Sequence, residues 1–159
     1  MNLLLTEIIN IINNSNKINE NIVGINYLEK IKYLIINNFR ENQDKFIIDN
    51  LISELKKQNS QSKKLEFKNQ SLTLTVNLYK DSLSKINSCY TNDTLFIVID
   101  GIKIISLLDV LDKKKKIPLT ISKNMGLVLS KNTIVSENIT AGSIVLDIIS
   151  EKKAVKVEN

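Results

Sequence analysis

Near residue 60 the apolar residues of this chain change their period, and that switch limits the fold more than any other feature of its 159 residues. Before it the spacing is helical. Tyr27, Leu28, Ile31, Leu34 and Ile35 make one stripe, and Ile47, Ile48, Leu51, Ile52 and Leu55 make another. Leu4, Leu5, Ile8, Ile9 and Ile12 predict a first short helix, and Asn-rich joints over 13–21 and 37–44 separate the three. Asp44 is placed to cap the third helix. Ile25, Ile36 and Phe39 fall partly outside the stripes. The polar stretch KKQNSQSKK over 56–64 closes this part as a linker.

After the switch the period is two. Leu72, Leu74, Val76 and Leu78 alternate with Thr73, Thr75 and Asn77, which predicts a half-buried strand with its apolar residues inward. The hydroxyl face, Thr73, Thr75 and Asn77, meets either solvent or a polar lumen, and solvent is the expectation. DTLFIVIDG and GIKIISLL meet at Asp100-Gly101, a hairpin signal between β-branched runs. KIPLTIS, GLVLS, NTIVSEN, SIVLDIIS and KAVKV follow as short strands separated by turn residues such as Gly142, a pattern of sandwiches and barrels. The fold class is therefore α+β: a helical segment over 1–60, then a β-barrel domain over 61–159.

Composition narrows the chemistry. There is no histidine and one cysteine, so a His-based metal site or catalytic machine is excluded. The net charge of +5 comes almost wholly from lysine, with Arg40 the one arginine and no tryptophan. That composition argues against a reader of nucleic acid, which leans on arginine forks and stacking aromatics. No run approaches the ~18 apolar residues of a membrane span. The apolar start lacks a basic n-region and a small-residue cleavage site, and Cys89 alone is suited to a reducing compartment, so a cytoplasmic location is expected. Lys113–Lys116 reads as a solvated turn. Cys89 reads as a structural residue, since a thiolate nucleophile needs a base or cation and only Lys85 is near in sequence.

Two stretches of the β half, over about 65–150, carry a family resemblance. SCYTNDTLFIVIDGIKI and MGLVLSKNTIVSENI resemble the two motifs of the cupin superfamily, a double-stranded β-helix or jelly roll. In the first, Gly101 stands as the turn glycine and Thr94 where a glutamate ligand is usual. The histidine pair falls on Ser88 and Tyr90, or on Asn87 and Cys89. In the second, Gly126 opens the strand, Ser130-Lys131-Asn132 replaces a Pro-x-Gly turn, and Val135 takes the place of the last histidine. The resemblance implies a jelly roll stripped of its metal ligands, and dimerisation through sheet edges. Asp93 and Asp100 flank a strand and read as turn residues.

The expected function is that of a metal-free cupin-like protein, non-enzymatic, binding a small molecule or partner or serving as an assembly module. Catalytic residues, metal and cofactor are expected to be none. Tyr79, Tyr90 and Thr94 are the candidate ligand-binding residues, as polar groups at a barrel mouth. One alternative is a metal-independent isomerase or epimerase on a sugar derivative, whose base would have to be Tyr, Lys or a carboxylate. Another is a structural or viral-type jelly roll. A homodimer is expected, to cover the leftover apolar surface. The lumen discriminates: filled with Ile and Leu it favours assembly, open with Tyr and Thr at the mouth it favours binding, and a buried Lys–carboxylate or Tyr–Lys pair revives the enzyme.

Overall fold

Alternating residues give each strand two distinct faces, and here both faces of one sheet find cover. The structure, a computed structural model, describes residues 3–13, 25–41, 50, 52–54, 56–57, 62–67, 72–108 and 116–150. Among the described residues two helices, α1 (Leu3–Asn13) and α2 (Ile25–Glu41), and helical residues at 50, 52–54 and 56–57 precede nine strands; the expected KAVKV strand lies outside the described residues. These are β1 (Ser62–Phe67), β2 (Leu72–Leu78), β3 (Leu83–Cys89), β4 (Asp93–Asp100), β5 (Ile102–Leu108), β6 (Lys116–Ser122), β7 (Met125–Leu129), β8 (Ile134–Ile139) and β9 (Ile144–Ser150).

One sheet has the order β1-β2-β9-β4-β7 and the other β3-β8-β5-β6. Set β1 aside and the orders 2-9-4-7 and 3-8-5-6 remain, with every pairing antiparallel. Between β2 and β9 the chain changes sheet at every step except β5 to β6, which is the connectivity of an eight-stranded jelly roll. The α+β class and the jelly roll expected from the sequence are both present. β1, inside the expected linker, is an added edge strand paired with β2 from Ser62↔Asn77 to Phe67↔Leu72.

Asp100-Gly101 does not close a hairpin. β4 and β5 lie in different sheets, so the turn passes the chain from one layer to the other. Gly101 takes φ 89°, and a Cβ there would collide with the Ser143 side chain, meeting its Oγ and lying 2.7 Å from its Cβ. Ser143 is fully buried, and its Oγ accepts the Ile102 amide at 3.1 Å, which ties the crossover to the turn before β9. Such a crowded, left-handed position needs glycine. Pro118 sits in β6, an edge strand, where its missing N–H costs no ladder bond.

Leu72, Leu74, Val76 and Leu78 share one buried face, as expected. That face is the outside of the sheet, covered by the helices. It forms one core with Leu95, Ile97, Ile99, Ile144, Leu146 and Ile148 of the sheet and with Ile8, Ile12, Leu28, Ile31 and Ile35 of the helices. α2 lies over β4 and β7. Gly126 permits the approach, since a Cβ there would meet the Phe96 carbonyl at 2.8 Å and the Lys32 side chain at 3.3 Å. The expected joint at 37–44 is helical as far as Glu41, and Phe39 joins the buried stripe instead of lying outside it. Ile36 packs half-buried against the core and Ile25 stays exposed. Of the third expected stripe, Ile52 is buried in this core. Ile47, Ile48, Leu51, Leu55 and the Asp44 cap lie outside the described residues, as do Lys113–Lys115.

Candidate functional site

Thr73, Thr75 and Asn77 face the lumen between the sheets, not solvent. The register shows why. Across β2, β9 and β4 the lumen-facing residues form three rows: Thr73, Ile149, Thr94; then Thr75, Asp147, Phe96; then Asn77, Val145, Val98. The rows run from polar at one end to apolar at the other. The apolar end is filled by Phe96, Val98, Ile105, Ile121, Leu129, Val135, Ile139 and Val145. The polar end holds a cavity of about 470 Å³.

Three charged side chains from three strands and both sheets enter this cavity: Lys103 of β5, Glu137 of β8 and Asp147 of β9. Glu137 pairs with Ile105 in the ladder, so Lys103 lies on the diagonal, and its Nζ comes within 3.5 Å of the Glu137 Oε1. Both side chains are buried, at 4% and 8% exposure. The Lys103 ammonium also sits 4.0 Å from the centroid of the Phe96 ring, a cation–π contact in a dry setting. Tyr90 donates its hydroxyl hydrogen to the same Glu137 oxygen. On the opposite sheet the Asn77 amide donates to the Asp147 Oδ2 at 2.9 Å, again along a cross-strand diagonal.

Burial pushes the Asp147 carboxyl above the usual aspartate range, and the Glu137 charge adds to this; Lys103, the Asn77 hydrogen bond and Lys85 pull the other way. Burial also raises the phenols of Tyr79 and Tyr90, with Asp147 and Glu137 as further contributors. Both tyrosines are thus neutral donors at ordinary pH.

All three residues expected to bind a ligand line the cavity: Tyr79, Tyr90 and Thr94. Each is fixed by the backbone around it. Tyr79 follows β2, giving its amide to the Ser143 carbonyl at 2.9 Å and accepting from the Gly142 amide. Tyr90 follows β3 and exchanges backbone bonds with Thr133 and Asn132. The Thr94 hydroxyl donates to the Asn92 carbonyl at 2.9 Å. Lys85, Ser88, Cys89 and Thr91 line the mouth, so Cys89 is an exposed residue of the rim and not a buried structural one. Asp93 and Asp100 stay outside. Asp93 accepts the Lys131 amide at 2.7 Å, and Asp100 pairs with Lys56 at 2.9 Å.

Sequence reasoning missed Lys103, Glu137, Asp147 and Asn77. The signal was available for three of them: each is a lone charge inside an apolar run, in GIKIISLL, NTIVSENI and SIVLDIIS. A charge at an inward position of a strand needs a partner or a purpose.

A jelly roll of this kind invites the question of a metal, and the donors present do not suit one. Ser88 pairs with Val135 across β3 and β8, and Val135 is buried in the apolar core. Thr94 and Tyr90 offer hydroxyls already bonded within the protein. Hydroxyls and a valine at the expected ligand positions do not make a transition-metal site.

No protein-family profile and no curated protein matches the chain in sequence. Among solved structures it is similar to a cupin superfamily protein from Desulfitobacterium hafniense, with 20% identity and a TM-score of 0.42, over 57% of this chain and 76% of that one. It is also similar to KdgF from Halomonas sp., with 16% identity and a TM-score of 0.45, over 58% and 79%. An RmlC-like cupin from Shewanella frigidimarina gives 14% identity and a TM-score of 0.43, over 58% and 77%. These likenesses concern the fold alone, and the strand order by itself fixes the jelly roll. The chain is a jelly roll in which the positions expected to ligate a metal are held by other residues.

Proposed function

We propose that this protein is a metal-independent, non-enzymatic binding protein that holds a small polar molecule in the lumen of its jelly roll. The observation that supports this best is the cavity of about 470 Å³ lined by Thr75, Asn77, Tyr79, Tyr90 and Thr94. A lumen serving assembly alone would be packed along its whole length with Ile and Leu; this one is packed at one end and polar at the other. Hydroxyls, an amide and two phenols around a concave space are the usual equipment for orienting a small ligand.

The buried Lys103–Glu137 pair favours a second reading, a metal-independent isomerase or epimerase acting on a sugar derivative. It ranks behind binding because both Tyr90 and Lys103 already engage the Glu137 Oε1.

The test is a screen of small polar molecules by thermal shift, with hits checked by protection of Cys89 from iodoacetamide. Hits should disappear in Thr75→Trp, which places an indole in the cavity. Compounds that stabilise Thr75→Trp as strongly as the wild type would reject lumen binding, as would a screen with no hit.

A homodimer and a cytoplasmic location complete the proposal. Ile102 and Ile134 are 39% and 43% exposed on the outer face of the four-stranded sheet, and Ile86 is 74% exposed, which leaves apolar surface for a partner copy. No described helix is long and apolar enough to cross a membrane. Light scattering should give a mass near twice 18.1 kDa, and a mass of 18.1 kDa that holds on concentrating the sample would refute the dimer.

A further inference from the structure

Lys85 sits at the exposed mouth of the cavity, so with Asp147 ionised the charges deeper inside do not balance, and that imbalance points to a ligand class. Lys103 is engaged on two sides, by Glu137 at 3.5 Å and by the Phe96 ring at 4.0 Å. Lys85 is exposed at the mouth. Asp147 accepts a hydrogen bond from Asn77 and takes part in no ion pair among the described residues. Two carboxyl groups therefore share the interior with one committed ammonium. Once Asp147 is ionised, the interior carries one uncompensated negative charge.

We infer that the lumen takes a small molecule bearing a protonated amine, with the Asp147 carboxylate as its counter-ion. The inference rests on the lumen-binding reading. An anionic ligand would face Glu137 and Asp147 together, with Lys103 already held by Glu137, and like charges in a desolvated site repel strongly. A neutral polyol would hydrogen-bond to Asp147 without drawing out its carboxylate, and so would gain no charge-assisted bond. An ammonium group cancels it and donates to the Asp147 oxygens, a charge-assisted hydrogen bond of the stronger kind. Tyr79 and Thr75, which line the same space, are then free to meet the rest of the molecule.

Binding is coupled to a proton. Without ligand, burial holds Asp147 toward its protonated form. The arriving ammonium favours the carboxylate, so the Asp147 proton leaves to solvent as the ligand enters. The groups facing Asp147 are Lys103 from β5, Glu137 from β8, Lys85 from β3, Asn77 of β2, Tyr79 just after β2 and Tyr90 just after β3. Affinity for an amine rises with pH through the raised Asp147 titration and falls again where the amine itself loses its proton.

Three matched probes decide the matter: glucosamine, glucose and glucuronate share one ring and differ in a single group. Binding is read by calorimetry and by protection of Cys89 from iodoacetamide. Glucosamine should bind best, on the order of tenfold tighter than glucose, and Asp147→Asn should remove that preference. In the wild type its affinity should fall as the pH is lowered, which keeps the test valid if the variant folds poorly. Glucose or glucuronate binding as well as glucosamine would overturn the amine class and leave lumen binding standing. A glucosamine preference that survives in Asp147→Asn would place the amine elsewhere and overturn the inference. Failure of all three probes also overturns it, while the Thr75→Trp screen judges lumen binding separately.

Discussion

β2, β9 and β4 carry two different interiors on their two faces. Toward the helices stand Leu74, Ile148 and Leu95 in one row and Val76, Leu146 and Ile97 in the next, all with 0–1% exposure. Toward the lumen, one residue along, stand Thr75, Asp147 and Phe96. The first face is dry and close-packed, and stabilises the chain by removing apolar area from water. The second carries an aspartate bonded to Asn77 and faces, across a cavity, the Lys103–Glu137 pair of the opposite sheet. The two interiors are separated by a shift of one residue in the pleat.

The largest expected effect breaks the lumen side. Glu137→Leu leaves the Lys103 ammonium buried without its carboxylate, and removing one partner of such a pair costs about 3–5 kcal/mol. Denaturant unfolding measures it. A loss below about 1 kcal/mol would mean that Lys103 finds water or another partner.

Leu74→Ala tests the helix side. Leu74 is fully buried between sheet and helices, and its truncation should cost about 2–5 kcal/mol. Thr75→Ala, its neighbour on the other face, should cost about 1 kcal/mol or less. Equal losses at the two positions would erase the distinction between the faces.

Asp147→Asn should have a smaller effect of opposite sign. The folded carboxyl titrates above its unfolded value, so the folded state holds the proton more tightly and loses stability as pH rises through the folded titration. The amide carries no such penalty. The variant should be the more stable protein at neutral pH, and its advantage should vanish below about pH 3.9, where the unfolded carboxyl is protonated too. An advantage independent of pH would assign the gain to packing instead.

How much of this was legible in the sequence follows from the same two faces. Alternation revealed which residues of β2 lie together, and the turn residues marked where strands end. Alternation cannot say which face is the lumen. An antiparallel sheet commonly has one wet face, so Thr73, Thr75 and Asn77 read as solvent-facing. Here the helices cover the apolar face, and the hydroxyl face turns inward. Asp100-Gly101 has the chemistry of a hairpin, yet each flanking strand pairs with more distant partners, β4 with β9 and β7, and β5 with β6 and β8. Turn chemistry is local; sheet membership is set by pairings tens of residues away. The rim residues Tyr79, Tyr90 and Thr94 were legible because they end or begin strands at the mouth. Lys103, Glu137 and Asp147 showed in the sequence only as single charges within strands; that they meet was not legible, because only the closed sandwich brings β5, β8 and β9 around one space.

The central claim is that the charged lumen exists for a ligand and not for the fold. Its most direct test needs no ligand: denaturant unfolding of the triple variant Lys103→Met, Glu137→Leu, Asp147→Leu. Replacing a buried charge set by apolar residues of similar volume is commonly neutral or stabilising by about 1–4 kcal/mol, since the desolvation cost goes with the charges. The account predicts a midpoint at or above that of the wild type. A loss as large as that of Leu74→Ala would show that the charged lumen holds the fold together, and would contradict the account.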